Sequence, residues 1–192
     1  MVLGDNIFFG ADLSRILRKA RDNNTGATVF ACHVRDPERF GVIEFGENDQ
    51  PLSIVEKPKN PQSPYAVTGL YFYNNRVIEI ADKIEPSQRG ELEITDVNKA
   101  YLKANELKVV RLPRRMAWLD TGTHDSLVEA SQFVQTLGHR QGLKIACPEE
   151  IAWRQGWISP DMMKHTAQSF IGTGYGEYLL TLLDEVKDTQ SH

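Results

Sequence analysis

Trp118-Leu119-Asp120-Thr121-Gly122-Thr123, read together with Leu3-Gly4-Asp5-Asn6, decides the fold class of this chain. Each is a short apolar segment that stops at an aspartate and passes into a loop and then a helical pattern, the arrangement that sets acids at the carboxyl edge of an α/β sheet. Two such acids suit one hard cation. Magnesium takes oxygen ligands, keeps several waters and is carried by one or two carboxylates together with substrate phosphates, so the pair raises phosphate chemistry. The competing reading is local: an aspartate after a strand also caps the next helix or fixes a turn.

Outward from these acids the periodicity alternates. Residues 1–4 read as a strand that ends at Asp5. Residues 11–23 set Leu13, Ile16, Leu17 and Ala20 on one helical face, and 27–34 are apolar and strand-like. Residues 42–45, 52–55 and 67–73 read as three further strands. The first two are joined by Gly46-Glu47-Asn48-Asp49, a hairpin signal. A helix is expected over 77–84, another after a Thr95 cap, then strands over 107–112 and 117–119. From Thr123 the pattern is helical, with Leu127, Ala130, Val134 and Leu137 at one spacing, Pro148 opening a helix, and Tyr178, Leu179, Leu182 and Val186 on the last.

Composition narrows the partners. At 192 residues, 41% hydrophobic and 25% charged, the chain is long enough to bury a core. A net charge of -4 argues against a nucleic-acid surface, so any polyanion must be met by a few local cations and backbone amides. Cys32 and Cys147 make no metal-type spacing, and with no signal segment in view they point to a reducing, cytoplasmic setting. No apolar run approaches the roughly 20 residues that a membrane span needs.

Two more constellations lie between the aspartates. In Ile54-Val55-Glu56-Lys57-Pro58 a strand ends in an acid and a base, which can accept hydrogen bonds from sugar hydroxyls and aim an ammonium at a phosphate. Adjacent Glu and Lys at a strand end also occur as a solvated charge pair. In Arg89-Gly90-Glu91-Leu92-Glu93-Ile94-Thr95-Asp96 an arginine precedes a helix start, which suits anion capture, although its acids equally suit the first-turn dipole.

The order of these segments resembles that of the glucose-1-phosphate thymidylyltransferases, the sugar-nucleotide pyrophosphorylases of dTDP-sugar synthesis. The resemblance is carried by residues 3–8, 37–42, 55–58, 65–71, 89–96 and 118–123, and by Cys147-Pro148-Glu149-Glu150-Ile151-Ala152. It implies an α/β fold, an incomplete Rossmann-like sugar nucleotidyltransferase sheet over residues 1–122 with a carboxyl-terminal helical region over 123–192. It also implies roles. Asp5 and Asp120 would hold Mg2+, and Glu56 would bind sugar hydroxyls. Lys57 and Arg89 would neutralise the sugar phosphate, Gly41 and Val67 would offer backbone contacts, and Tyr71 and Trp118 would shape the sugar pocket. The family usually has tyrosine before Gly41; Phe40 keeps the ring and loses the hydroxyl. Arg114, Lys144, Ile145, Glu150, Ile151 and Arg154 match an effector site for the end product, although their residue types alone read as helix core and solvated charge.

The implied reaction transfers dTMP from dTTP to glucose-1-phosphate, giving dTDP-glucose and pyrophosphate, on the path to dTDP-rhamnose and polysaccharide. The implied partners are those substrates, the dTDP-sugar and further copies of the chain, with neither nucleic acid nor membrane. Family members begin with a Gly-x-Gly-x-Arg-Leu loop that cradles the triphosphate. These 192 residues hold no such segment, so the resemblance implies a truncated, impaired chain that binds sugar phosphate but does not by itself make dTDP-glucose. The alternatives are a non-catalytic sugar-phosphate-binding or regulatory remnant, and a sugar nucleotidyltransferase that uses UTP, CTP or ATP.

Overall fold

The computed structural model of the chain describes residues 1–87 and 89–189, with side chains described to residue 184. Val186 therefore lies outside the described side chains. The chain divides into two compact units, Met1–Leu127 and the residues from Val128 onward. Among the described residues no helix is long and apolar enough to cross a membrane.

In the first unit, β2 (Ala27–His33) is the central element. Its first five residues are all buried, because it carries apolar side chains on both faces. Ala27, Val29 and Ala31 pack with Val97 and Tyr101 of α3 (Ile94–Lys103), whereas Phe30 packs with α1 (Leu13–Asp22) through Ala20, Ile16 and Leu17. The expected apolar face of α1 is thus the one that covers the sheet. Around β2 the mixed sheet runs β4 (Pro51–Glu56), β3 (Gly41–Phe45), β5 (Tyr65–Tyr73), β2, β6 (Leu107–Arg111). Only the β2–β6 pair is parallel. The expected hairpin is β3–β4, and its turn sets Asn48 and Asp49 in left-handed backbone (φ 57° and 61°), which these residue types tolerate. The helix expected over 77–84 is the shorter α2 (Val77–Ala81).

The amino end departs from the sequence expectation. Residues 1–4 form no strand; Val2 makes a single bridge to Leu70, with Leu3 N–H donating to Gly69 O and Tyr71 N–H to Met1 O. The strand is β1 (Asn6–Phe9), which starts after Asp5. It pairs antiparallel with β7 (Ala117–Asp120) in a separate two-stranded ribbon, Asn6 opposite Asp120. The acids therefore stand at one end of an antiparallel ribbon, not at the carboxyl edge of a parallel sheet. Antiparallel pairing brings the start of one strand beside the end of the other, so Asp5 before β1 and Asp120 closing β7 still stand at the same end of the ribbon.

Two local expectations also fail. Thr95 does not cap α3; it lies inside the helix, buried, and its hydroxyl is committed to Glu56. On α4 (His124–Gln141), Ala130 is buried as the spacing requires, but Leu127 is exposed.

The second unit is helical. Pro148 opens α5 (Pro148–Arg154), and Ser159 caps α6 (Pro160–Ser169) by accepting from Met162 N–H at 3.2 Å. With α7 (Gly174–Thr189) they enclose Cys147, Met163, Ala167, Leu179 and Leu182. Polar ties join α5 to α7: Tyr175 OH donates to Glu149, and Tyr178 OH to Glu150. Burial, then the hydrogen bond to Glu150, pushes the Tyr178 phenol up to about 12. An acid group raised in the fold contributes stability that is intact below its unfolded value, about 10, and is lost as pH rises through its folded value. The phenolate absorbance of Tyr178 is therefore expected to rise only near pH 12, with the helical unit losing stability over that interval. A titration step near 10 in the folded protein, absent in Tyr178→Phe, would contradict this.

Candidate active site

The residues that the sequence marks separately converge on one cavity of about 510 Å³ within the first unit. Asp5 and Asp120 line it from the ribbon; Phe40, Gly41, Glu56 and Lys57 from the β3–β4 hairpin; Val67 and Tyr71 from β5; Trp118 from β7. Arg89 is not among its lining. Its guanidinium instead meets Glu91 at 3.3 Å and Glu93 at 3.8 Å on the loop before α3.

Pairing in the sheet explains the convergence. Gly41 stands opposite Glu56, so the start of β3 and the end of β4 share one rim, and Lys57 N–H donates to Phe40 O at 3.0 Å. Lys57 takes φ 41°, a left-handed conformation that costs an ordinary residue about 1–3 kcal/mol and is found where surrounding structure holds a side chain for function. Beside it Glu56 Oε2 accepts from Thr95 Oγ1 at 2.5 Å. Gly41 lies against that pair: a Cβ there would stand 3.1 Å from Thr95 Oγ1 and 3.2 Å from Glu56 Oε2. The glycine is what lets the carboxylate and the hydroxyl close over β3.

Asn6 organises the opposite wall. Its Oδ1 accepts from Trp118 Nε1 at 2.6 Å and from Gly69 N–H at 3.1 Å, and its Nδ2 donates to Asp5 Oδ1 at 2.8 Å. A side chain on Gly69 would collide with Asn6, the nearest approach being 2.6 Å. The Phe40 ring packs on Trp118 with centroids 4.9 Å apart. Tyr71 is buried, and burial followed by the charges of Glu56 and Asp5 holds its phenol well above the usual tyrosine range. It is a neutral donor at working pH. Asn6, Gly69 and Arg39 are among the lining residues to which the sequence assigned no role.

The acids suit a hard divalent cation. Asp120 Oδ1 accepts from Gly122 N–H at 2.8 Å, the turn contact that local reading allows, and Asp5 is steadied by Asn6. Both residues nonetheless line the cavity. Among the described residues no group of three or more His, Cys, Asp or Glu is placed to hold a metal, which leaves these two carboxylates as the candidate donors. Such a pair suits a cation that completes its shell with water and phosphate oxygens.

Of the residues matched to an effector site, Lys144 and Ile145 line a separate cavity of about 380 Å³ in the second unit, with Cys147 and Tyr175. Glu150 and Arg154 pair with each other at 2.7 Å, and Ile151 is exposed. Arg114 belongs to the first unit.

Residues 1–136 match the family model described as nucleotidyl transferase. The chain is 55% identical over 183 residues to a glucose-1-phosphate thymidylyltransferase of Neisseria meningitidis serogroup A, covering 95% of this chain and 64% of that protein. It is 52% identical over 184 residues to the enzyme of that name from Mycobacterium tuberculosis, covering 96% and 64%. The chain thus spans just under two thirds of the length of these relatives. Among solved structures, one from Bacillus anthracis, described as a glucose-1-phosphate thymidylyltransferase in complex with sucrose, is similar with a TM-score of 0.61 and 43% identity, over 69% of this chain and 52% of that one. A UDP-glucose pyrophosphorylase complexed with UDP-glucose shares the fold at TM-score 0.61 and 22% identity, over 70% and 55%. With its mixed sheet, its cavity of paired acids and the family match over residues 1–136, this chain belongs to the nucleotidyl transferase family.

Proposed function

We propose that this chain supplies the sugar-phosphate and metal half of a glucose-1-phosphate thymidylyltransferase. The observation that carries the reading is the gathering of Asp5, Asp120, Glu56 and Lys57 into one cavity with an aromatic wall. In the reaction, an oxygen of the sugar phosphate attacks the α-phosphorus of dTTP; the new P–O bond forms as the bond to pyrophosphate breaks, and pyrophosphate leaves with its electron pair. No protein nucleophile is needed, so positioning and charge neutralisation are the tasks left to side chains.

Each group has a task that its geometry suits. Glu56, oriented by Thr95, accepts from sugar hydroxyls, and Phe40 and Trp118 offer ring faces to the sugar's C–H surface. Lys57 meets the phosphate, held in place by its own constrained backbone. Asp5 and Asp120 would hold Mg2+, which when bound spreads phosphate charge. The deciding measurement is pyrophosphate release from dTTP and glucose-1-phosphate with Mg2+, alongside UTP, by the protein that contains this chain. Release that needs dTTP and glucose-1-phosphate supports the reading; release with UTP alone, or with neither, rejects it.

Lys57 gives the reading a residue-level test. Lys57→Ala is expected to reduce turnover by roughly a hundredfold or more, and Lys57→Arg by less, because the cation matters more than the stem although the guanidinium is not equivalent. An alanine variant as active as the parent would make Lys57 a surface charge.

A further inference from the structure

We propose that Arg111 is a positioning residue for the cavity: it fixes the turn end of the β3–β4 hairpin and thereby the placement of Glu56 and Lys57 at the hairpin's other end. The mechanical part stands by itself, whereas its consequence for binding rests on the sugar-phosphate reading of the cavity.

The way the hairpin is mounted calls for such a hold. β3 and β4 pair with each other along their length, but β3 joins β5 through one registered pair, Val42 opposite Ala66. Beyond that pair the hairpin runs to its turn as an arm, and a rotation of the arm about the pair reorients the end of β4, from which Glu56 and Lys57 enter the cavity. Ile43 and Ile54 anchor the hairpin in the core, yet apolar burial is non-directional and restrains separation more than tilt.

Arg111 supplies a directional hold. It is the last residue of β6, the edge of the sheet opposite the hairpin. In a flat sheet three strand spacings of about 4.8 Å each would separate β6 from β3, more than an arginine side chain spans. The sheet instead curls until β4 and β6 approach, and Arg111 bridges the gap. Its Nη1 pairs with Asp49 in the turn at 2.9 Å, and its Cζ stands 3.9 Å from the centre of the Phe45 ring and 4.7 Å from that of Tyr65. Phe45 closes β3; Tyr65 opens β5, meets Phe45 edge-on at 5.3 Å and meets His33 of β2 at 5.6 Å. One guanidinium thus ties β6, β5, β3 and the turn together. The ion pair to the exposed Asp49 adds little by itself, so the stacking on two rings, which needs a planar cation, does most of the holding. A cavity of about 400 Å³, lined by Glu44, Phe45 and Leu52 of the hairpin and by Arg111, gives the arm room to tilt once the guanidinium is removed.

The test follows amide hydrogen exchange by NMR in the full chain and its Arg111 variants, with glucose-1-phosphate titrated calorimetrically into each below its unfolding temperature. The reporter is the Lys57 amide, which donates to Phe40 O at the cavity end of the hairpin. In Arg111→Ala it is expected to exchange about fivefold faster or more, beyond any change shared with the Phe30 amide of β2. Glucose-1-phosphate binding is expected to weaken about threefold or more, because small misplacements of polar contacts are costly. Arg111→Lys, which keeps the charge without the planar group, is expected to recover only part of both losses and serves if the alanine variant does not fold. Faster exchange confined to the turn amides of Gly46 and Gln50 overturns the proposal. So does a change shared evenly by the Lys57 and Phe30 amides, which marks a general loss of stability, and so does unchanged affinity in a variant whose Lys57 amide is faster. If the parent itself does not bind glucose-1-phosphate, the sugar-phosphate reading of the cavity is what has failed, and the Lys57 amide alone decides whether Arg111 holds the hairpin.

Discussion

Replacing Asp120 by asparagine is expected to reduce Mg2+-dependent pyrophosphate release by roughly a thousandfold, while the thermal midpoint stays within a few degrees of the parent. The asymmetry follows from what each oxygen does. Asp120 Oδ1 accepts from Gly122 N–H, and an asparagine carbonyl can keep that bond, so the turn after β7 survives. What the amide removes is a negative charge from the cavity wall that Asp120 shares with Asp5, and with it half of the proposed two-carboxylate donor set. The measurement pairs turnover with a Mn2+ titration followed by proton relaxation, in which the Asn variant should bind the ion more weakly. A variant that keeps both its rate and its ion affinity would make Asp120 a turn residue only, the reading that its position after a strand equally allows.

The second large effect is on stability. Phe30→Ala is expected to cost about 3–5 kcal/mol, the usual range for emptying a buried aromatic position, which is a large part of a domain's total. Phe30 is fully buried on β2, tilted against Phe72 at 6.0 Å between ring centres and packed with α1 through Ala20. Urea unfolding with the slope compared between variants would measure it. A loss under about 1 kcal/mol would mean that α1 and the sheet close over the gap. Because Phe30 faces away from the Val29 and Ala31 side that packs on α3, the surviving folded fraction should keep its cavity.

Sequence reading succeeded where the signal is local. The apolar run of β2, the α1 face, the β3–β4 turn and the proline that opens α5 are decided by residues within a few positions of each other. The same locality explains the errors. Leu3-Gly4 before Asp5 looks like a strand by composition, but a strand exists only where pairing runs on in register; Val2 makes a single bridge to Leu70, and continuous pairing begins at Asn6, with β7 from the far end of the unit. Thr95 before a helical run looks like a cap, yet its hydroxyl goes to Glu56, 39 positions away. For the cations, locality decides less: Arg89, before a helix start, meets Glu91 and Glu93, whereas Arg39, within Asp36-Pro37-Glu38-Arg39, has the spacing of an ordinary surface pair, does pair with Asp36, and lines the cavity. Only the folding of β3 against β4 and β5 turns that rim into a cavity wall. The family resemblance filled in most of the lining because it carries tertiary information that single residues lack, but it gave no part to Asn6, through which Trp118, Gly69 and Asp5 are held together.

The β1–β7 ribbon also constrains the order in which the first unit folds. Thr121 donates to the Asp5 carbonyl across 116 positions of chain, from its amide at 2.8 Å and from its hydroxyl at 3.0 Å. Closing so long a loop is entropically unfavourable until the β2-centred sheet and α3 between its ends have already condensed. During synthesis Asp5 and Asp120 cannot be brought to one cavity wall before β7 has left the ribosome, by which point nearly the whole first unit has emerged. In pulsed hydrogen exchange during refolding, the Thr121 amide should accordingly gain protection after the amides of β2 and β5.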